Sequence, residues 1–479
     1  MLEELFDKFH EECAVIGIIN HPEASKYCYL GLYSMQHRGQ EGAGIVSTDS
    51  KGMFVYKDMG LVADIFDSET LEKLDGKAAI GHTRYATFGG KDWQNLQPFV
   101  ANFANDGLAL AHNGNLINAS ELRVALENKG AIFSSTSDSE VILHLTAHAQ
   151  GKDTVEKLSS ALKQVKGAYS LAVMTHNKLL AARDPSGVRP LSLGKVEDSY
   201  IIASETCAFD LIGAKFIRDI APGEILEISS DGSMRSDYSL AVAEPALCIF
   251  EYIYFARPDS TINGKNVYVV RKQLGQELAK EHPAQADMVV PVPDSGVPAA
   301  IGYAQQIGLP LELGLIRNHY VGRTFIEPSQ TIRDFGVKVK LNPNTMMLQG
   351  KKIVVVDDSI VRGTTCKILI KLLREAGAAE VHFRVSSPPT VGSCYYGIDT
   401  PLPNELIASK NSVEEIKDYI GADSLGYLST DGMYRAINGS AEHYCDACFT
   451  LKYKLGKPEN DEACGCGGVS HRPRSRSKK

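Results

Sequence analysis

Apolar and polar positions follow two rhythms, one in each half of the chain. In the first half, short alternating runs read as half-buried strands, from the C-A-V-I-G-I run that begins at Cys13 to a series between residues 168 and 228, with turns at Arg183-Asp184-Pro185 and Arg189-Pro190. Two stretches of helical spacing, about 120–129 and 137–150, lie among them. Short connections predict an α+β half with mostly antiparallel strands. The first twelve residues have the spacing of a short amphipathic helix, and between 231 and 246 the periodicity lapses into Ser, Asp, Gly and Pro, the expected domain boundary.

The second half alternates strand and helix, as a parallel sheet requires. Residues 353–356 are a continuous apolar run, the pattern of a strand covered on both faces, and Asp357 and Asp358 stand at its carboxyl end. The loop 359–365 follows, after which Ile368, Leu369, Leu372, Leu373 and Ala376 recur at helical spacing until Gly377 offers a cap. Residues 288–292 form a second strand of the same kind, ending in Pro293-Asp294-Ser295-Gly296 with a helix behind it through Gln306. Its end is expected beside that of Asp357 and Asp358, with Ser295 in reach of the same ligand. From 317 to 343 the pattern fails over a long segment carrying Arg317, His319, Arg323, Arg333, Lys338 and Lys340. This segment reads either as a solvated surface loop or as a basic lid over an anion. After Lys454 the chain turns polar, and 472–479 is a basic tail expected to be disordered.

Composition narrows the classes. The chain has 479 residues, 44% hydrophobic and 23% charged, with a net charge of −8, which disfavours a nucleic-acid surface while leaving room for a local basic pocket. No apolar run approaches the roughly 20 residues of a membrane helix, and the acidic start lacks a signal-peptide core, so a cytoplasmic location is expected. Ten cysteines in a chain of this length do not make a disulfide scaffold.

The loop after Asp358 carries specific chemistry. A phosphate placed there would meet backbone N–H groups, the hydroxyls of Ser359, Thr364 and Thr365, and the positive end of a helix, with Gly363 allowing close approach. Two carboxylates repel phosphate, so Asp357 and Asp358 should face ribose hydroxyls or a divalent cation. In the first half, Cys13 alone reads as a buried strand cysteine. Were residues 1–12 cleaved, it would become an N-terminal nucleophile whose α-amino group, with an ordinary pKa of about 8, could take the thiol proton. Asn113 and Gly114 would then suit an oxyanion, Arg84 a carboxylate and Asp138 an ammonium group. Cys445 and Cys448 are spaced for two thiolates on one metal centre, zinc or iron, while Cys464 and Cys466 form a second pair in the polar tail.

The D-D-S-I-V-R-G-T-T stretch resembles the signature of phosphoribosyltransferases that use phosphoribosyl pyrophosphate. That resemblance implies Asp357 and Asp358 for the ribose hydroxyls and Mg²⁺, joined by Ser295, and Ser359, Ile360, Val361, Arg362, Gly363, Thr364 and Thr365 for the 5-phosphate, with Lys338 on the pyrophosphate side. C-A-V-I-G-I, Q-H-R-G-Q-E-G-A-G, H-T-R-Y-A-T, H-N-G-N and S-D-S-E, in that order, are similar to the N-terminal-nucleophile glutamine amidotransferase domain, a sandwich of two antiparallel sheets between helices. Its nucleophile falls on Cys13, its oxyanion residues on Asn113 and Gly114, and its glutamine-binding residues on Arg84 and Asp138, with Arg38 and Thr87 shaping the pocket.

Together the halves resemble the amidophosphoribosyltransferase family over about 13–455. This implies a 1–12 propeptide, a glutaminase domain over 13–240, a type I phosphoribosyltransferase domain over 241–455 and a tail over 456–479. It further implies glutamine and phosphoribosyl pyrophosphate as substrates, Mg²⁺, a 4Fe-4S cluster on Cys248, Cys394, Cys445 and Cys448, purine-nucleotide inhibitors and a homotetramer. A glutaminase serving another acceptor, and a regulator that binds phosphoribosyl pyrophosphate without turnover, are the competing readings. The phosphate loop disfavours the first, and the glutaminase half disfavours the second.

Overall fold

The structure, a computed structural model, describes residues 10–11, 13–49, 52–85, 93–103, 106–240, 243–318 and 341–458. Thr87, Lys338, most of the basic 317–343 segment, Cys464, Cys466 and the basic tail lie outside the described residues, as do residues 1–9 of the expected leader helix. His10–Glu11 is a short strand, antiparallel to Ile398–Asp399.

Two antiparallel sheets make the first half. The seven-stranded sheet runs Lys215–Asp219, Ser192–Val196, Ser199–Ala203, Ala14–Ile19, Ala78–Arg84, Gly42–Thr48, Met53–Met59. The six-stranded sheet runs Met234–Asp237, Ile225–Ser229, Lys178–Arg183, Gly167–Met174, Asp106–Leu116, Phe99–Phe103. Strand residues alternate in direction, so Val15, Val46 and Ile80 of one sheet meet Ala109, Ala172, Leu179 and Ala181 of the other. The opposite faces bury Ile16 and Ile45 under the helices Ala24–Ser34 and Cys207–Ile212, and Leu110 and Leu171 under Ser139–His148 and Thr154–Leu162. The result is the expected sandwich between helices.

In the second half, Met288–Pro291, Lys352–Asp357, Glu380–Val385 and Ser424–Tyr427 form a parallel sheet in that order. Ile353 and Val355 pack with the helices Thr364–Glu375 and Val413–Ile420, and Val354 and Val356 with Val267–Glu281 and Val297–Ile307. Both faces are covered, which is why this strand is apolar throughout. Gly377 adopts φ 95° and lets Ala378 N–H reach the Leu373 carbonyl at 3.1 Å, closing the helix as expected.

Candidate active sites

Cys13 ends the loop before Ala14–Ile19, and the Ala14–Thr83 pairing sets it alongside Arg84 at the end of Ala78–Arg84. Its thiol is buried, 3.9 Å from the Tyr85 carbonyl, and its N–H donates to the Arg38 carbonyl at 3.0 Å. Cys13 has φ 74°, in the left-handed region, which costs a side-chain-bearing residue about 1–2 kcal/mol. A residue with a free amine has no such torsion to strain.

Asn113 and Gly114 lie in the strand Asp106–Leu116 of the facing sheet. Asn113 is fully buried; its Nδ2 donates to Ser204 Oγ at 3.3 Å, while its Oδ1 has no partner among the described residues. Ser204 exchanges two 3.0 Å hydrogen bonds with Val15, so it fastens Asn113 to the strand that begins beside Cys13. No local pattern marks Ser204, whose partners are far away along the chain. Gly114 has φ 147°, and a Cβ there would come 2.1 Å from the Ala168 carbonyl oxygen. Asp138, at the head of Ser139–His148, accepts from the Leu116 N–H at 3.0 Å and from Ser139 Oγ at 3.1 Å. This holds its carboxylate next to the Asn113–Gly114 strand.

Neither nearby histidine is built as a base. Burial lowers His82 to about 3, and burial lowers His112, whose Nδ1 lies 2.9 Å from Ser139 Oγ. Arg38 reaches Cys13 through its backbone. Its guanidinium is fully buried between Glu205 and Glu251, and only its carbonyl faces Cys13.

The halves touch at the Asn113–Gly114 strand. Asn115 Nδ2 donates to the Tyr395 carbonyl at 2.9 Å, and a Cβ on Gly397 would fall 2.9 Å from the Gly114 Cα.

Asp357, Asp358 and Ser359 are buried at the carboxyl end of Lys352–Asp357. Ser359 Oγ donates to Asp358 Oδ2 at 2.6 Å, and Ser387 Oγ to the Asp358 carbonyl at 2.8 Å. Gly363, at φ 79°, precedes Thr364–Glu375, so Thr364 and Thr365 form the first helical turn. Ile360 and Val361 are buried beneath the loop, and Val361 accepts from the Ile407 N–H at 2.9 Å. Arg362 meets Glu405 at 3.4 Å on the outside. Parallel pairing of Pro291 with Val356 puts the two strand ends side by side, and a Cβ on Gly296 would sit 3.2 Å from the Asp357 Cα. Ser295 therefore belongs to this mouth, where Asp294 pairs with Arg317. Arg271, fully buried, is lowered to about 10 by burial, with the charge of Asp358 acting against that shift.

The four cysteines converge. Cys248 and Cys445 are register partners in parallel two-residue strands, Leu247–Cys248 and Tyr444–Cys445, and Cys448 follows in Ala447–Thr450. The Cys448 carbonyl accepts from Val391 and Gly392 N–H at 2.9 and 3.0 Å, which anchors the loop carrying Cys394. All four thiols line one cavity with Phe250, Tyr396, Ile398, Ala447 and Tyr453. Burial pushes Cys248 and Cys445 up to about 12, so they stay protonated unless a cation takes the proton's place. Among the described residues, no three Cys, His, Asp or Glu side chains are set to hold a single ion.

Comparison with known proteins agrees with this geometry. The glutamine amidotransferase domain family matches residues 82–210 and the phosphoribosyl transferase domain family matches residues 263–394. By fold and sites, then, the chain is a glutamine-dependent phosphoribosyl-transferring enzyme. The amidophosphoribosyltransferase of Bacillus subtilis (strain 168) is 50% identical over 449 residues, 93% of this chain and 94% of the relative. That of Rhizobium etli is 51% identical over 457 residues, covering 94% and 92%. A solved structure of the allosteric regulatory enzyme of purine biosynthesis superposes with a TM-score of 0.88 at 50% identity, covering 92% of this chain and 96% of that one. The B. subtilis enzyme complexed with ADP and GMP gives a TM-score of 0.87 at 49% identity, covering 92% and 97%. The chain belongs to the amidophosphoribosyltransferase family.

Proposed function

We propose that the chain makes 5-phosphoribosylamine from phosphoribosyl pyrophosphate and glutamine, the first step of purine nucleotide synthesis, with Cys13 as the glutaminase nucleophile after removal of residues 1–12. One observation carries the two-site reading: the Asn113–Gly114 strand and the Asp357–Asp358 strand end belong to halves that touch through Asn115 and Tyr395. The Cys13 amine takes the thiol proton, and the sulfur attacks the glutamine amide carbon. Asn113 Nδ2 and the Gly114 N–H stabilise the oxyanion. The C–N bond breaks as the leaving nitrogen takes the proton, and water then cleaves the thioester to glutamate. Arg84 and Asp138 hold the two charged ends of glutamine, with Arg38 and Thr87 completing the pocket. Ammonia displaces pyrophosphate at the ribose C1 while the Ser359–Thr365 loop grips the 5-phosphate and Lys338 faces the pyrophosphate.

Oxygen donors on Asp357, Asp358 and Ser295 suit Mg²⁺, which takes a few protein ligands together with substrate phosphates. When bound, it would offset the negative charge of the departing pyrophosphate. Cys248, Cys394, Cys445 and Cys448 would hold a 4Fe-4S cluster in a structural role, tying the C-terminal segment to the domain junction. Purine nucleotides are the expected inhibitors, in keeping with a relative solved with ADP and GMP. No helix among the described residues is long and apolar enough to cross a membrane. A cytoplasmic homo-oligomer completes the proposal.

The test is an assay of the purified protein with both substrates. Consumption of phosphoribosyl pyrophosphate with pyrophosphate release only when glutamine or ammonia is added supports the reading; glutamine hydrolysis without any transfer refutes it.

A further inference from the structure

Beneath the glutaminase centre lies a buried ionic layer that the reaction scheme leaves unused. The carbonyl that accepts the Cys13 N–H belongs to Arg38, whose guanidinium sits between the fully buried carboxylates of Glu205 and Glu251. Glu251 meets it at 2.7 and 3.4 Å and also pairs with Arg189 at 2.9 Å. Glu205 is fixed in turn by Ser260 Oγ at 2.6 Å, the Arg257 N–H at 2.9 Å and His37 at 2.7 Å. Glu251 opens the π-helical turn Glu251–Phe255, a rare geometry that recurs at functional sites. Arg271 braces this turn from behind, donating to the Tyr252 and Ala256 carbonyls at 2.8 and 2.7 Å.

Apolar side chains of similar volume would join two domains at least as well as buried ion pairs do. What the charges add is direction, because a guanidinium gripped from two sides fixes the backbone it hangs from. We propose that Glu251 is a positioning residue for glutamine hydrolysis: acting through Arg38, it fixes the carbonyl that orients the amino group of Cys13. An amine that donates one N–H to this carbonyl turns its lone pair away from Arg38, free for the thiol proton. The inference rests on the reading of Cys13 as an N-terminal nucleophile. Glu251 lies on the transferase side of the expected boundary, so a carboxylate from one domain orders the nucleophile of the other.

The experiment compares Glu251→Gln and Glu251→Asp with the parent in the processed, full-length protein, with Cys13 verified as the first residue by intact mass. For Glu251→Gln, the expected result is a fall of about 100-fold in kcat for glutamine hydrolysis, the scale of a small misplacement of a reacting group. KM for glutamine and transfer from free ammonia should hold within about twofold, as they must if only the chemical step is affected. Glu251→Asp, which restores a carboxylate on a shorter arm, should recover part of the lost kcat. Unchanged kcat, a rise in KM alone, or an equal loss of both activities would overturn the proposal, the last because a purely structural latch fails in that way. Should Glu251→Gln not fold, Glu251→Asp carries the test, with the same split between hydrolysis and ammonia-driven transfer required. If Cys13→Ser still hydrolyses glutamine, the N-terminal-nucleophile reading itself falls; an active parent beside an unaffected Glu251→Gln removes only the role of Glu251.

Discussion

A thiol at the start of one strand and two carboxylates at the end of another, in different halves of the chain, should be separable by single substitutions. Cys13→Ser is expected to abolish glutamine use while leaving synthesis from concentrated free ammonia, measured as pyrophosphate release. Loss of both activities in a folded variant would argue against separate sites. Asp358→Asn removes a charge proposed to face the ribose and Mg²⁺, and phosphoribosyl transfer should fall by at least ~100-fold. Glutamate release at Cys13 should persist in that variant, and unchanged transfer kinetics would refute the assignment. At this scale the sequence is legible where a buried strand, a polar loop and a helix start crowd into one stretch, as in Asp357 to Thr365. It was silent on Ser204, Glu205, Glu251 and Arg271. Ser204 supports Asn113 from 91 positions away and Glu251 meets Arg38 across 213, and no local pattern marks such pairs.

Secondary elements divided by how their apolar residues are distributed. The strand Lys352–Asp357 could be read because both its faces are covered and its run is unbroken. The helix Ala24–Ser34 carries no comparable signature. Apart from Leu32 it buries small residues, Ala24, Ser25, Cys28, Gly31 and Ser34, and it leaves Leu30 and Tyr33 exposed, so the apolar stripe on its inner face is weak. The helices Val267–Glu281 and Val297–Ile307 cross at glycines: a Cβ on Gly275 would lie 1.8 Å from the Ala299 carbonyl oxygen, and one on Gly302 would lie 1.9 Å from that of Lys272. Backbone meets backbone there, so a methyl group cannot be relieved by a rotamer change. Gly275→Ala should cost about 3 kcal/mol through overpacking, despite the better helix propensity of alanine. A denaturant titration that finds it neutral would show the crossing to be more yielding than the structure indicates.

For the whole molecule, the four cysteines gather three separated segments at the domain junction, and the Cys394 loop continues into Tyr395 and Gly397, which touch the Asn113–Gly114 strand. The C-x₂-C pair alone was visible from spacing; Cys248 and Cys394 needed the family resemblance, and the structure then brought all four to one cavity. Anaerobically purified protein should be brown, with about four irons and four sulfides per chain. Colourless protein containing zinc would defeat the iron assignment. Oxygen exposure should bleach the colour and lower the unfolding temperature together, because the cluster would bind the folded state alone. Processing is a further expectation: active protein should begin at Cys13 by intact mass, and an active form that retains residues 1–12 would rule out the free amine as base.

The central claim is that ammonia freed at Cys13 is used at Asp357 and Asp358 within the same molecule. The most direct measurement supplies glutamine with a heavy-nitrogen amide, phosphoribosyl pyrophosphate and an excess of unlabelled ammonium, and reads the isotope in the phosphoribosylamine. The account predicts a product enriched in the heavy isotope far above the bulk ammonium pool, with one glutamate formed for each pyrophosphate released. Product nitrogen matching the bulk pool would contradict it, since the two sites would then share only the solvent.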